Sequence, residues 1–224
     1  MSKKIFMPDG IGFVELMESF GDDLTVVNAA RVSFDKTSVE LTEADKKLIK
    51  YLAKHNHNSP FFHPQARFRL KMPIFVCREW FRHTVGLARN EVSRRYVDSL
   101  PECWVPDAMN IRERDPKVKQ GSKATAVSDA EEVYLLMKDH ADTSLHTYQT
   151  LLERGVAPEV ARSVLPQGMF SEFIETGSLA AYARICQLRL DPSAQKEIRD
   201  YATAVHECMS GIFPVSWEAL MKTC

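Results

Sequence analysis

In "QARFRLKM", Ala66, Phe68, Leu70 and Met72 alternate with Gln65, Arg67, Arg69 and Lys71. A side-chain period of two marks a strand with one face buried. "GMFSEFIETG" repeats the alternation more weakly and is its candidate partner. These segments break the helical period that most of the chain follows, and point to strands packed under helices. Most of the remaining sequence has the helical period, so the expected class is α+β: an antiparallel sheet packed with helices, largely helical overall.

The helical segments carry their own punctuation. "TEADKKLIKYLAKHNH" opens on Thr42 as a capping residue, with Leu48, Tyr51 and Leu52 at helical spacing. "SDAEEVYLLMKDHADTSLHTYQTLLERG" is the longest, with Ser128 as candidate N-cap, acids in the first turn and Gly155 as the stop. "PEVARSVL" starts on Pro158, the favoured first position. "SLAAYARICQLRL" and "PSAQKEIRDYATAVHECMSGIF" are separated by Asp191-Pro192. "RERDPKVKQGSKATA" is polar and reads as a mobile surface loop. With 224 residues and no internal repeat, the chain is expected to form one domain, residues 1–224.

Against this background, "CREWFRHTVGLARNEVSRRYV", Cys77 to Val97, holds five arginines and no lysine. The formal net charge of the whole chain is -1, so this is a local choice. Guanidinium groups offer planar, bidentate donors suited to phosphate or carboxylate. In a helix starting at Pro73, Arg78 and Arg82 share one face, Glu79 and His83 an adjacent one, and Trp80 and Phe81 anchor to the core. Gly86 releases the chain after it. A solvated, ion-paired helix face would also use these residues. Asn90, Glu91 and Ser93 beside the arginines favour a site that reads a phosphorylated heterocycle.

Other clusters are weaker. His55, His57 and His63 in "KHNHNSPFFH" lack the spacing and partners of a metal site, so no metal is expected there. Lining a ligand or capping the helix that Asn58-Ser59-Pro60 ends suits them better. No glycine-rich phosphate loop is present. The five cysteines are scattered and never in CxxC spacing, which fits a reducing, cytoplasmic setting. Cys77 beside Ile74, Phe75 and Val76 reads as buried and inert. Neither a secretory leader nor an apolar run of bilayer length is expected.

"NAARVSF", "HNHNSPFFH", "MPIFVCREWFRH", "NEVSRRY", "PEVARSVLPQGMFSEF" and "CQLRLDP" occur in an order that resembles the flavin-dependent thymidylate synthases, the ThyX class, over nearly the whole chain. Thr84 takes the third position of that family's Arg-His-Arg signature. The segment from it to Ser93 is one residue longer than usual. The resemblance implies an α+β fold and a homotetramer with sites between subunits. It further implies FAD as cofactor, dUMP and methylenetetrahydrofolate as substrates, NADPH as reductant, and no cysteine nucleophile.

By the same resemblance, FAD meets His57, Ser59, Arg82, His83, Thr84 and Glu91, with Ser178 and Arg184 near the flavin or its adenosine part. Ser33 is a further candidate near the cofactor. The dUMP pocket takes Glu79, Arg82, Glu91, Ser93, Arg95 and Arg162. Arg189 faces the uracil as the catalytic residue and favours its N3-deprotonated form. Two other readings stand beside this one: a homologue that binds FAD and nucleotide without synthase activity, and an arginine-rich nucleic-acid binder. The near-neutral charge argues against the latter, and no nucleic acid or membrane partner is expected.

Overall fold

The structure is a computed structural model that describes residues 3–117 and 121–222. The alternating segment forms strand β3, Gln65–Pro73, with Ala66, Phe68, Leu70 and Met72 buried on one face. It lies at the centre of a five-stranded antiparallel sheet that also contains β1 Lys3–Phe6, β2 Phe13–Phe20, β4 Leu87–Glu91 and β7 Phe170–Ser178. The strand order is β1-β2-β3-β7-β4. The expected partnership of the two alternating segments is present: Phe68 pairs with Glu175 and Leu70 with Phe173.

The inner face of the sheet is covered by helices: α1 Asp23–Arg31, α2 Glu43–Lys54, α3 Ile74–Trp80, α6 Leu179–Arg189, α7 Lys196–Ile212 and α8 Pro214–Met221. Phe68, Leu70, Phe173, Tyr182, Ile185, Val205, Met209 and Trp217 belong to one continuous core. Helix α6 is apolar around most of its circumference and is accordingly buried on nearly all sides. The opposite face of the sheet carries Arg67, Arg69, Glu172 and Ile174 in exposed or half-exposed positions.

The longest helix, α4 Ala130–Glu153, packs mainly on α5 Pro158–Ala161 and the short turns around residues 108–110 and 162–164. Its N-cap is Asp129, where Ser128 was expected, and no side chain caps it. Gly155 ends it as read, at φ 78°. Thr42 caps α2 in a reciprocal box with Asp45.

Within the segment read as a surface loop, residues 112–114 and 122–126 form strands. Strands β5 Arg112–Arg114 and β6 Ser122–Ala126 pair as a hairpin, tied by Arg112 Nε donating to Ser122 Oγ at 2.7 Å. Residues 118–120 of that segment lie outside the described residues. Among the described residues, no helix is long and apolar enough to cross a membrane. Cys77, Cys103, Cys186 and Cys208 are free thiols, and Cys224 lies outside the described residues.

Candidate functional site

Helix α3 ends one turn earlier than its sequence suggests. Trp80 is its last residue and is fully buried, so the helix stops where its anchor meets the core. Phe81 N–H donates to the Cys77 carbonyl at 2.7 Å, and His83 N–H to the Trp80 carbonyl at 3.1 Å. Gly86, at φ 76°, then turns the chain into β4. A side chain at Gly86 would press on Ser178 Oγ at 3.1 Å and Ala181 Cβ at 3.3 Å, so the turn sits tightly against the start of α6. Arg82 and His83 therefore project from this turn. The expected faces pairing them with Arg78 and Glu79 do not form.

The last turn of α6 brings Arg189 to the same place. Its Nε donates to His83 Nε2 at 3.1 Å, its Nη1 to Glu79 Oε2 at 3.2 Å, and its Nη2 to the Glu79 carbonyl at 3.0 Å. The side chain is only 14% exposed. Burial lowers the His83 pKa to about 4, with help from the cations Arg189, Arg89 and Arg184. The imidazole is therefore neutral near pH 7 and free to accept from Arg189. A guanidinium held on three sides can face developing negative charge without reorganising.

Glu79, Arg82 and Arg189 line a cavity of about 880 Å³, whose lining also contains Arg112, Ser193 and Arg199. Arg112 is fixed there by Glu197 at 2.7 Å. A second cavity, of about 480 Å³, is lined by Glu91, Ser93, Arg94 and Arg162. Ser171 Oγ donates to Glu91 there. The linings of the two cavities have no residue in common.

The remaining expected residues are spread more widely. Arg95 is exposed and stands 3.5 Å from Glu159. His57 and Ser59 are exposed beyond the end of α2, His57 stacking on Tyr51 at 6.0 Å. Thr84 is exposed in the turn, and Ser33 is exposed after α1. Ser178 is buried and caps α6, its Oγ accepting from Ala181 N–H at 3.2 Å. Arg184 Nη2 donates to the Val85 carbonyl at 2.5 Å. Burial pushes the thiol of Cys77 well above its ordinary range and that of Cys103 up to about 11, so neither is a ready thiolate.

Sequence reasoning missed Glu175 and assigned no role to Arg89. Glu175 is completely buried and accepts from Trp80 Nε1 at 3.2 Å and from Arg89 Nε. The signal was available: Glu175 occupies an inward position of β7, where an acid requires a partner. Arg112 and Arg199 were also missed, because they come from segments far from the arginine-rich stretch.

The family model described as "Thymidylate synthase complementing protein" matches residues 15–215. The chain is 41% identical over 208 residues to the flavin-dependent thymidylate synthase of Thermus thermophilus, spanning 93% of this chain and 75% of that one. It is 38% identical over 214 residues to that of Thermosipho africanus, spanning 94% and 91%. Among solved structures, a UMP/dUMP methylase, PolB, from Streptomyces cacaoi bound with 5-Br dUMP superposes with a TM-score of 0.84 at 30% identity, over 94% of this chain and 95% of that one. The oligonucleotide-binding reading of the arginine stretch gains no support from any of these. On the extent and identity of these matches, the chain belongs to the flavin-dependent thymidylate synthases.

Proposed function

We propose that this protein converts dUMP to dTMP in the cytoplasm, with methylenetetrahydrofolate as one-carbon donor and NADPH as the source of reducing equivalents. The observation that carries the reading is Arg189, a guanidinium fixed by Glu79 and His83 at the edge of the larger cavity. A guanidinium can stabilise negative charge on the pyrimidine, including the N3-deprotonated form. A more electron-rich ring is the better carbon nucleophile.

The donor set fits a flavin dinucleotide. Arg82 lines the larger cavity and offers a fork to phosphate oxygens. Arg184 spends one N–H on Val85 and keeps others free for a ligand, and the Ser178 hydroxyl can still donate while capping α6. His57, Ser59, His83, Thr84 and Glu91 complete the residues that would hold FAD. Bound flavin would supply the hydride chemistry. The residues of this chain bind, orient and polarise: Arg82, Arg95 and Arg162 for the nucleotide phosphate, and Glu79, Glu91 and Ser93 for its base and sugar.

These residues lie in two separate cavities and on open surface, which supports a complete site drawn from more than one copy of the chain. A homotetramer, each chain acting as one domain over residues 1–224, is the assembly proposed. The test is direct. Purified protein should be yellow, and should release tritium from 5-tritiated dUMP only when FAD, NADPH and methylenetetrahydrofolate are all present. A colourless protein that cannot bind FAD overturns the proposal, as does a flavoprotein without tritium release.

A further inference from the structure

Arg89 carries no role in the reading above, yet it is more tightly held than most of the expected site residues. In β4 it pairs across the sheet with Glu175 of β7. Side chains along a strand alternate, so Leu87, Arg89 and Glu91 share the inward face and Ala88 and Asn90 the outward one. A shift of one residue in register would turn Arg89 outward. The register of β4 on β7 sets Arg89 opposite Glu175, and that pairing is what holds it inward. The chain has Thr84 where the signature has arginine. Arg89 does not replace it on the open side of the turn, because its guanidinium faces the buried carboxylate.

From that anchor Arg89 reaches back to the site. Its Nε donates to Glu175, while its Nη2 donates to the His83 carbonyl at 2.5 Å. Its guanidinium carbon lies 5.1 Å from the Phe81 ring centroid, and Phe81 packs edge-on against Phe173 of β7 at 4.9 Å. On the other side of the same turn, Arg184 holds the Val85 carbonyl. The turn that presents His83 to Arg189 is therefore gripped at two carbonyls by two arginines. Only Arg89 is tied to a buried acid.

We propose that Arg89, anchored by Glu175, is a positioning residue that sets the His83 turn and, through His83, the orientation of Arg189. The inference rests on the synthase reading for its kinetic consequence but not for its geometry. A buried ion pair is a poor stabiliser compared with apolar side chains of the same volume. Its presence here calls for another use, and among the described residues the backbone atom to which the Arg89 side chain donates is the carbonyl of the residue that orients Arg189.

The experiment uses the purified holoenzyme and two variants. Arg89→Lys keeps the cation but not the fork that spans the carboxylate and the carbonyl. The expected result is unchanged thermal melting, kcat reduced about ten- to hundredfold, and KM for dUMP within about threefold of the parent. The KM expectation follows because Ser93, Glu91 and Arg162 line the other cavity.

An activity-independent readout accompanies it. The charged groups facing His83 are Arg189 and Arg184 from α6, Arg89 from β4 and Glu79 from α3, with Glu175 of β7 behind Arg89. Because Arg89→Lys retains the charge, a rise in the His83 titration, followed by NMR of labelled histidine, reports a loosened turn. The double variant Arg89→Gln/Glu175→Gln removes both charges together. It should melt near the parent temperature and remain slow. If either folded variant turns over at the parental rate with the His83 titration unmoved, Arg89 is only structural and the proposal fails. If the parent protein itself is inactive, the synthase reading fails and the His83 titration alone decides this one.

Discussion

Two carboxylates in this protein stand almost wholly out of solvent, each facing an arginine, and they titrate in opposite directions. Asp45 is 1% exposed and Glu175 0%. Asp45 lies in the first turn of α2, where Thr42 N–H and Oγ1 donate to one oxygen at 3.0 and 2.6 Å and Arg31 Nε to the other at 3.0 Å. Those bonds, that of the Thr42 hydroxyl foremost, outweigh burial and hold its carboxyl down to about 2. Glu175 sits within strand β7, outside any helix N-terminal turn. Burial pushes its carboxyl above the ordinary range, although Arg89 and Trp80 oppose it. The difference teaches that a buried acid is inexpensive where backbone and hydroxyl donors already converge on it. Where they do not, it costs stability. Asp45 closes the corner between α1 and α2, and Glu175 serves the site.

The largest effect is expected at the far end of the Glu175 chain of contacts. Arg189→Ala should lower turnover at least about 10³-fold, roughly 4 kcal/mol of transition-state stabilisation. The flavin absorbance of the purified protein should be retained. If FAD is lost together with turnover, Arg189 is a cofactor anchor, and the contrast between a structural and a functional pair loses its endpoint.

Next comes Glu175→Ala, which leaves Arg89 without its countercharge and should cost about 3–4 kcal/mol in urea unfolding, with turnover falling as well. Asp45→Ala removes a capping-box partner and leaves Arg31, which is partly exposed and can turn to water. About 1–2 kcal/mol should be lost, with turnover unchanged. Equal losses at the two sites, or an activity loss at Asp45, would erase the distinction between them.

The two pairs also differ in how legible they were. Thr42 followed by Asp45 is readable as a helix start without any tertiary information, and β3 was readable from its unbroken alternation. Strand β7 alternated weakly because its inward positions include Ser171, Glu175 and Gly177, which hide the apolar pattern. Strand β4 hid it completely, since two of its three inward residues are Arg89 and Glu91. Strand β2 slips its register between Leu16 and Glu18, which broke its pattern too. The resemblance named Arg189, Glu79 and His83 singly, but not that one guanidinium joins them. That depends on α3 ending at Trp80, and burial of the indole decides the point. Charged residues that pair across a sheet leave no local trace. Their partners are set by register, which a one-residue change in a connecting turn can reverse.

The last test separates the groups by pH. Asp45 has a folded pKa below its ordinary value of 3.8, so it contributes stability above that pH and loses it as pH falls toward 2. His83 is also lowered, from 6.5 to about 4, but for a histidine this means that the unfolded chain binds the proton first. Stability should therefore decline as pH falls from 6.5 toward 4, before Asp45 begins to lose its contribution. Urea unfolding of the parent from pH 7 to pH 2 should show both slopes in sequence. His83→Gln should flatten only the upper window, and Asp45→Asn only the lower one. If Asp45→Asn flattened the slope above pH 5 instead, its carboxyl would not be held low by Thr42 and Arg31. The corner of α1 and α2 would then be no better arranged for a buried charge than the middle of β7.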